Sequence, residues 1–194
     1  LMVKDDGSRG AAGGTVVTRD GSGALREERF EVFSTGIDFL KFQGQFNLDG
    51  PGSSTASLTT ALTPYWYKLT LDQDRVPVTG AAYSRDLVST NNGYQFDMSG
   101  HVEFPLGKGR LKVLGVRHFD DEPIDTYVTS RFADGSPDAG VLFVRDSLIG
   151  ETVLRGEYAW KGQRNTWQLA LERAYNSLDQ QGSLFELNAD GGYD

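Results

Sequence analysis

Apolar and polar residues alternate along much of this chain. From Tyr94 to Phe104, the side chains of Tyr94, Phe96, Met98, Val102 and Phe104 share one parity with Gly100, while Gln95, Asp97, Ser99, His101 and Glu103 take the other. Successive side chains of a strand point to opposite faces, so this period of two predicts a strand with one apolar face. The same pattern runs through Leu40, Phe42, Gly44, Phe46 and Leu48, through Thr152, Leu154, Gly156, Tyr158 and Trp160, and through Trp167, Leu169 and Leu171. Weaker strands are predicted over Thr55–Leu71, where the apolar parity changes near Pro64, and over Arg110–Phe119. The fold class is therefore all-β, an antiparallel up-and-down meander.

Three connections are short and contain glycine, Asp49–Ser53, Pro105–Gly109 and Lys161–Asn165, and each reads as a hairpin turn. The other two, Asp72–Gly93 and Asp120–Gly150, run to 22 and 31 residues. Compact domains usually spend fewer than about 12 to 15 residues on a connection. Short turns at one end, long loops at the other and strands of about 9 to 11 residues are the pattern of an outer-membrane barrel. Phe104, Trp160 and Trp167 flank the short turns, and Tyr94, Phe119 and Tyr175 are expected near the opposite strand ends, where interfacial girdles would lie. The chain is thus expected to form part of a transmembrane β-barrel, its apolar faces on lipid and its polar faces on a wet lumen. The alternatives are a soluble β-sandwich binding module with acidic loops, and a small porin-like barrel. A closed eight-stranded barrel would need Ala24–Ser34 and Ser183–Leu187 to join as strands.

Composition narrows the function. The 194 residues include no Cys, which excludes disulfide scaffolds, thiol catalysis and Cys-ligated zinc. The net charge of −8 argues against nucleic acid as a partner, since phosphate neutralisation needs surplus cations. No apolar run approaches the roughly 20 residues of a helical membrane span, and the opening Leu1–Asp6 lacks the basic start and apolar run of a signal peptide.

Longer phrases carry a resemblance. The segment Gly7–Arg19, a glycine-rich turn leading into a short apolar strand, resembles the close of the plug domain of TonB-dependent outer-membrane receptors. Leu106–Phe119, and Glu151–Glu172 followed by Tyr175–Asp179, look like barrel hairpins of the same family. The resemblance implies two parts: a plug-end and linker segment over 1–22, and barrel strands over 23–194. It also implies energy-dependent uptake of a nutrient through a plugged barrel in the outer membrane of a Gram-negative bacterium, with no enzymatic activity. Implied partners are outer-membrane lipid, the remainder of the barrel or a companion chain, a TonB-type energy-coupling protein, and a small-molecule or oligosaccharide ligand. A complete plug, an energy-coupling box and an aromatic-terminated last strand are not seen in this sequence, so it is expected to be an internal segment of such a receptor.

Candidate chemistry is sparse. Asp97 with Glu103, or Glu157 with Glu172, has the residue types of a glycosidase acid pair, but alternation with apolar neighbours already explains those positions. Ser99 and His101 share a strand face without an orienting third group. Asp120–Gly150 holds seven acids against Arg131 and Arg145, a composition able to hold a divalent cation weakly but more typical of a solvated acidic loop. No catalytic residue, metal ligand or cofactor is assigned. Substrate capture is expected from Arg117, His118, Arg131 and Arg145, which could meet an anionic ligand, and from Tyr127 and Phe132, which could stack on one. Tyr127–Phe132 and Val141–Val144 also read as a protruding hairpin.

Overall fold

A computed structural model describes residues 2–194, with side chains from Arg9 onward. Eight antiparallel strands form one sheet: β1 (Met2–Arg19), β2 (Leu25–Gly50), β3 (Ser54–Pro77), β4 (Tyr83–Leu106), β5 (Gly109–Asp121), β6 (Ile124–Phe132), β7 (Ala139–Lys161) and β8 (Thr166–Glu186). The all-β meander expected from the alternation is what forms. Most of Ala24–Ser34 and Ser183–Leu187, the segments that a closed eight-stranded barrel would need as strands, lies in β2 and β8, but these two strands do not pair with each other among the described residues. The segment 1–22, set apart above, supplies β1, which pairs with β2 along its whole length; Leu1 lies outside the described residues.

β5 and β6 lie end to end and occupy one strand position. β5 pairs with the second half of β4 and β6 with the first half, in the same register, and both pair in the same way with β7. Pro123 separates them because it has no N–H to give the ladder, while the Glu122 N–H before it still donates to the Ser147 carbonyl at 2.9 Å.

The expectation of long loops is corrected. Asp72–Gly93 is the end of β3, a short turn and the start of β4, and Asp120–Gly150 holds β6, the turn 133–138 and the start of β7. Turns are therefore short at both ends. The hairpins at Asp49–Ser53, Pro105–Gly109 and Lys161–Asn165 form as expected, and so does the one joining Tyr127–Phe132 to Val141–Val144. The strands are correspondingly longer than expected: β3 and β4 have 24 residues each, which at about 3.3 Å per residue is roughly 80 Å of chain.

The parity change near Pro64 is also explained. Register holds without a slip from Thr55↔Glu103 to Arg75↔Tyr83, so the backbone does not change face there; the apolar residues do. Toward the end bearing the turn Gly50–Ser54, one face carries Leu58, Leu62 and Trp66; beyond Pro64 that face carries Lys68, Asp72 and Asp74, and Leu69 and Leu71 move to the other. Along β3 the face of Tyr65 and Tyr67 has no exposed residue, whereas Leu58, Leu62, Trp66, Lys68, Asp72, Asp74 and Val76 on the opposite face are exposed. Nothing among the described residues packs on either face as a second layer, so this difference comes from curvature. The first face is concave, the second convex.

Candidate functional site

The convex face carries an apolar belt. Registers place Leu40, Phe42, Phe46 and Leu48 of β2, Leu58, Leu62 and Trp66 of β3, and Tyr94, Phe96, Met98, Val102 and Phe104 of β4 on this face. Leu111, Val113 and Phe119 of β5, Leu154, Tyr158 and Trp160 of β7, and Trp167, Leu169, Leu171 and Tyr175 of β8 continue it. Most of these side chains are open to their surroundings; Leu169 is 67% and Leu171 80% exposed. Water penalises contiguous apolar area on this scale, and such patches mark an interaction surface.

Aromatics bound the belt on both sides. Tyr158, Trp160 and Trp167 stack in sequence, with ring centroids 5.4 and 6.5 Å apart, near the turn Gly162–Asn165. Tyr94 and Phe119 meet at 5.9 Å on the other border. That border lies in mid-strand, not at the strand ends expected from the sequence. The lower-numbered half of β2 and the halves of β3 to β8 beyond it extend further and carry charged side chains outward, including Asp38, Lys68, Asp86 and Arg131.

Behind the belt the concave face is polar, and its most enclosed part lies beside the β5–β6 break. Asp120 and Ser147 are the buried polar residues there, 6% and 3% exposed. Gln95 Nε2 donates to Asp120 Oδ2 at 3.1 Å, and the Tyr65 hydroxyl lies 3.5 Å from Asp120 Oδ1 and from the Asp121 carbonyl. A cleft of about 490 Å³ opens here between Phe39, Lys41, Tyr65, Tyr67, Asn91 and Gln95, with Glu122 at its edge. Asn91 Oδ1 is buried without a hydrogen-bond partner.

The six residues expected to capture substrate do not form one site. His118 and Arg145 reach the cleft's margins, His118 Nδ1 bonding Asp97 Oδ1 at 2.8 Å and Arg145 lying 3.6 Å from Glu122. Arg131 and Phe132 line a hollow at the far turns, where Arg131 pairs with Asp86 and Phe132 packs on Tyr83 at 5.5 Å. The Asp86 bond raises the Arg131 pKa, holding that guanidinium charged. Tyr127 meets Tyr193 edge-on at 5.7 Å on the convex face. Arg117 stands on the convex face too, opposite to its neighbour His118. The sequence reading missed Tyr65, Asn91 and Gln95 as site residues; only the cross-strand register brings them together.

The candidate acid pairs are otherwise engaged. Glu157 and Glu172 both accept from Arg155, at 2.6 and 3.3 Å, Glu103 accepts from Arg110 at 2.5 Å, and Asp97 is held by His118. His101 bonds Ser57 across the ladder at 2.7 Å, not Ser99. No three His, Asp or Glu side chains converge to hold a metal among the described residues. The chain matches no family model and no curated protein sequence.

Proposed function

We propose that this chain is a wall segment of an outer-membrane β-barrel that serves nutrient uptake, with lipid on its convex belt and the transport path along its concave face. The observation that carries this reading is the belt itself. Its convex apolar stripe on β4 runs from Tyr94 to Phe104, about 34 Å of chain, which at a tilt near 45° has the height of the roughly 25 Å apolar band of such barrels. Aromatic borders on both sides and a polar face behind fit the same medium. The resemblance to TonB-dependent receptors adds the transport role, energy from a TonB-type partner and a small-molecule or oligosaccharide ligand. β1 and β8 each leave one edge without a strand among the described residues. Since open edges are not tolerated in lipid, the remaining strands come from elsewhere in the receptor or from a companion chain.

Fractionation of the native source, with mass determination in detergent, tests this. Recovery in the outer membrane within a larger barrel is the expected result. A folded, monodisperse chain of 21.3 kDa in plain buffer would overturn it.

A further inference from the structure

Between the Phe96–Phe119 row and the Trp160–Trp167 border, the convex face of β2 to β8 carries two charged side chains, Arg117 and Arg173, and no acid among the described residues; Asp121, opposite Tyr94, and Asp179 stand on the next row out. Elsewhere on the sheet most arginines are matched, Arg19 and Arg85, both outside the belt, being in no ion pair among the described residues. On the concave face Arg29, Arg75, Arg110, Arg145 and Arg155 each hold a glutamate, and on the convex face beyond the belt Arg9 holds Asp38 and Arg131 holds Asp86. Arg117 and Arg173 are in no ion pair among the described residues.

Their positions match. Arg117 sits one convex place inside Phe119 on β5, and Arg173 one place inside Tyr175 on β8, so each lies just within the same aromatic border. Arg117 is opposite Thr152, and Thr152 opposite Tyr175, which puts the two arginines two strands apart, about 10 Å across the sheet. The room around Arg117 is shaped for its guanidinium. Nη1 donates to Thr152 Oγ1 at 2.7 Å. A Cβ at Gly150 would come within 3.2 Å of Nη2 and 2.6 Å of Ser177 Oγ, so glycine there leaves the guanidinium its place.

A cation on a lipid face is costly at mid-depth and nearly free at the interface, where its stem lies along apolar neighbours and its head meets the headgroups. We propose that Arg117 and Arg173, with Thr152 and Ser177 as hydroxyl donors, clasp the phosphate of an anionic lipid headgroup at this border of the belt. The inference rests on the membrane reading above. Charge complementarity selects the occupant: the protein carries −8 overall, yet this patch offers two unmatched cations and hydroxyls. Guanidinium groups bind phosphate oxygens through charge-assisted hydrogen bonds.

The test is co-flotation of the full chain with vesicles of phosphatidylcholine alone and with vesicles containing phosphatidylglycerol. Wild type is expected to favour the anionic vesicles, and R117Q/R173Q to lose that preference by about 30-fold, on a scale of roughly 1 kcal/mol for each arginine at a membrane surface. R19Q/R85Q, which removes the same charge outside the belt, is expected to keep it. Flotation with both vesicle types but no anionic preference, or an equal loss in R19Q/R85Q, overturns the clasp and leaves the membrane reading standing. No flotation with either overturns both.

Discussion

The ring of Tyr65 lies across the backbone of its ladder partner Gly93, so closely that a Cβ on Gly93 would fall 2.7 Å from the phenol oxygen and also strike the Asp121 carbonyl. Glycine here is a requirement of packing, since an aromatic ring covers the strand where a side chain would stand. Gly93→Ala is expected to cost about 1 to 3 kcal/mol, the usual range for overpacking. A lowered urea midpoint in detergent would register it, and the loss should shrink when Tyr65 is already alanine. A midpoint unchanged by Gly93→Ala would contradict the packing described.

Leu154 and Val76 are about equally open on the convex face, at 57% and 60% exposure, but Leu154 is within the belt and Val76 is beyond it. Leu154 is opposite Arg173 and so lies nearer the border than the midplane. If lipid covers the belt, arginine there costs less than the mid-depth figure of about 2 to 4 kcal/mol but more than the figure of about 0 to 1 expected at Val76. Comparing the unfolding free energies of Leu154→Arg and Val76→Arg in lipid vesicles separates depth from exposure. Equal costs at both sites would remove lipid as the cause.

Trp160 and Trp167 face each other across the β7–β8 ladder and stack at 6.5 Å. Stacked aromatic pairs contribute about 0.5 to 1.5 kcal/mol beyond the area that they bury. Trp167→Ala is expected to destabilise the hairpin by at least that amount. It should also reduce the quenching of tryptophan fluorescence by brominated lipid. Quenching that stays at the wild-type level would place this border outside the membrane.

Asp20 organises the β1–β2 turn, accepting from the Ser22 hydroxyl at 2.6 Å, the Ser22 N–H at 2.9 Å and the Ala24 N–H at 3.0 Å. These bonds, the Ser22 hydroxyl foremost, hold its carboxyl below the ordinary 3.8. The folded pKa is depressed, so the turn's gain is full above the unfolded value and is lost as pH falls through the folded one. Hydrogen exchange at the Ser22 and Ala24 amides, corrected for its intrinsic rate, should therefore lose protection below pH 3.8. Asp20→Asn should remove that dependence.

Period two was legible wherever one face met a single environment. Leu40–Leu48, Tyr94–Phe104 and Trp167–Leu171 were therefore found as strands from their spacing. The far halves hid because their apolar residues change face: past Trp66, Lys68 and Asp72 take the convex side and Leu69 and Leu71 the concave. A strand whose polarity inverts midway looks like a loop when one parity is followed throughout. That is how the end of β3 beyond Leu71, the far half of β4, β6 and the start of β7 passed for long connections, although Thr55–Leu71 was read as a strand across the change near Pro64. The concave cleft was illegible for a different reason. Tyr65, Asn91, Gln95 and Asp120 come together through pairings up to 55 residues apart in the chain, which no local spacing encodes. The opposed directions of Arg117 and His118 were open to inspection, since neighbours in a strand cannot share a face.

If lipid covers the belt, the inversion of polarity along the strands also fixes a waterline. Slide the sheet inward by two residues and Lys68 enters hydrocarbon beside Trp66; slide it outward and the stacked Trp160 and Trp167 leave their border. Two residues of a strand tilted near 45° are about 5 Å of depth. In a membrane, a wall patterned in this way would hold its draught to roughly that tolerance, with the concave cleft at a set distance from the surface.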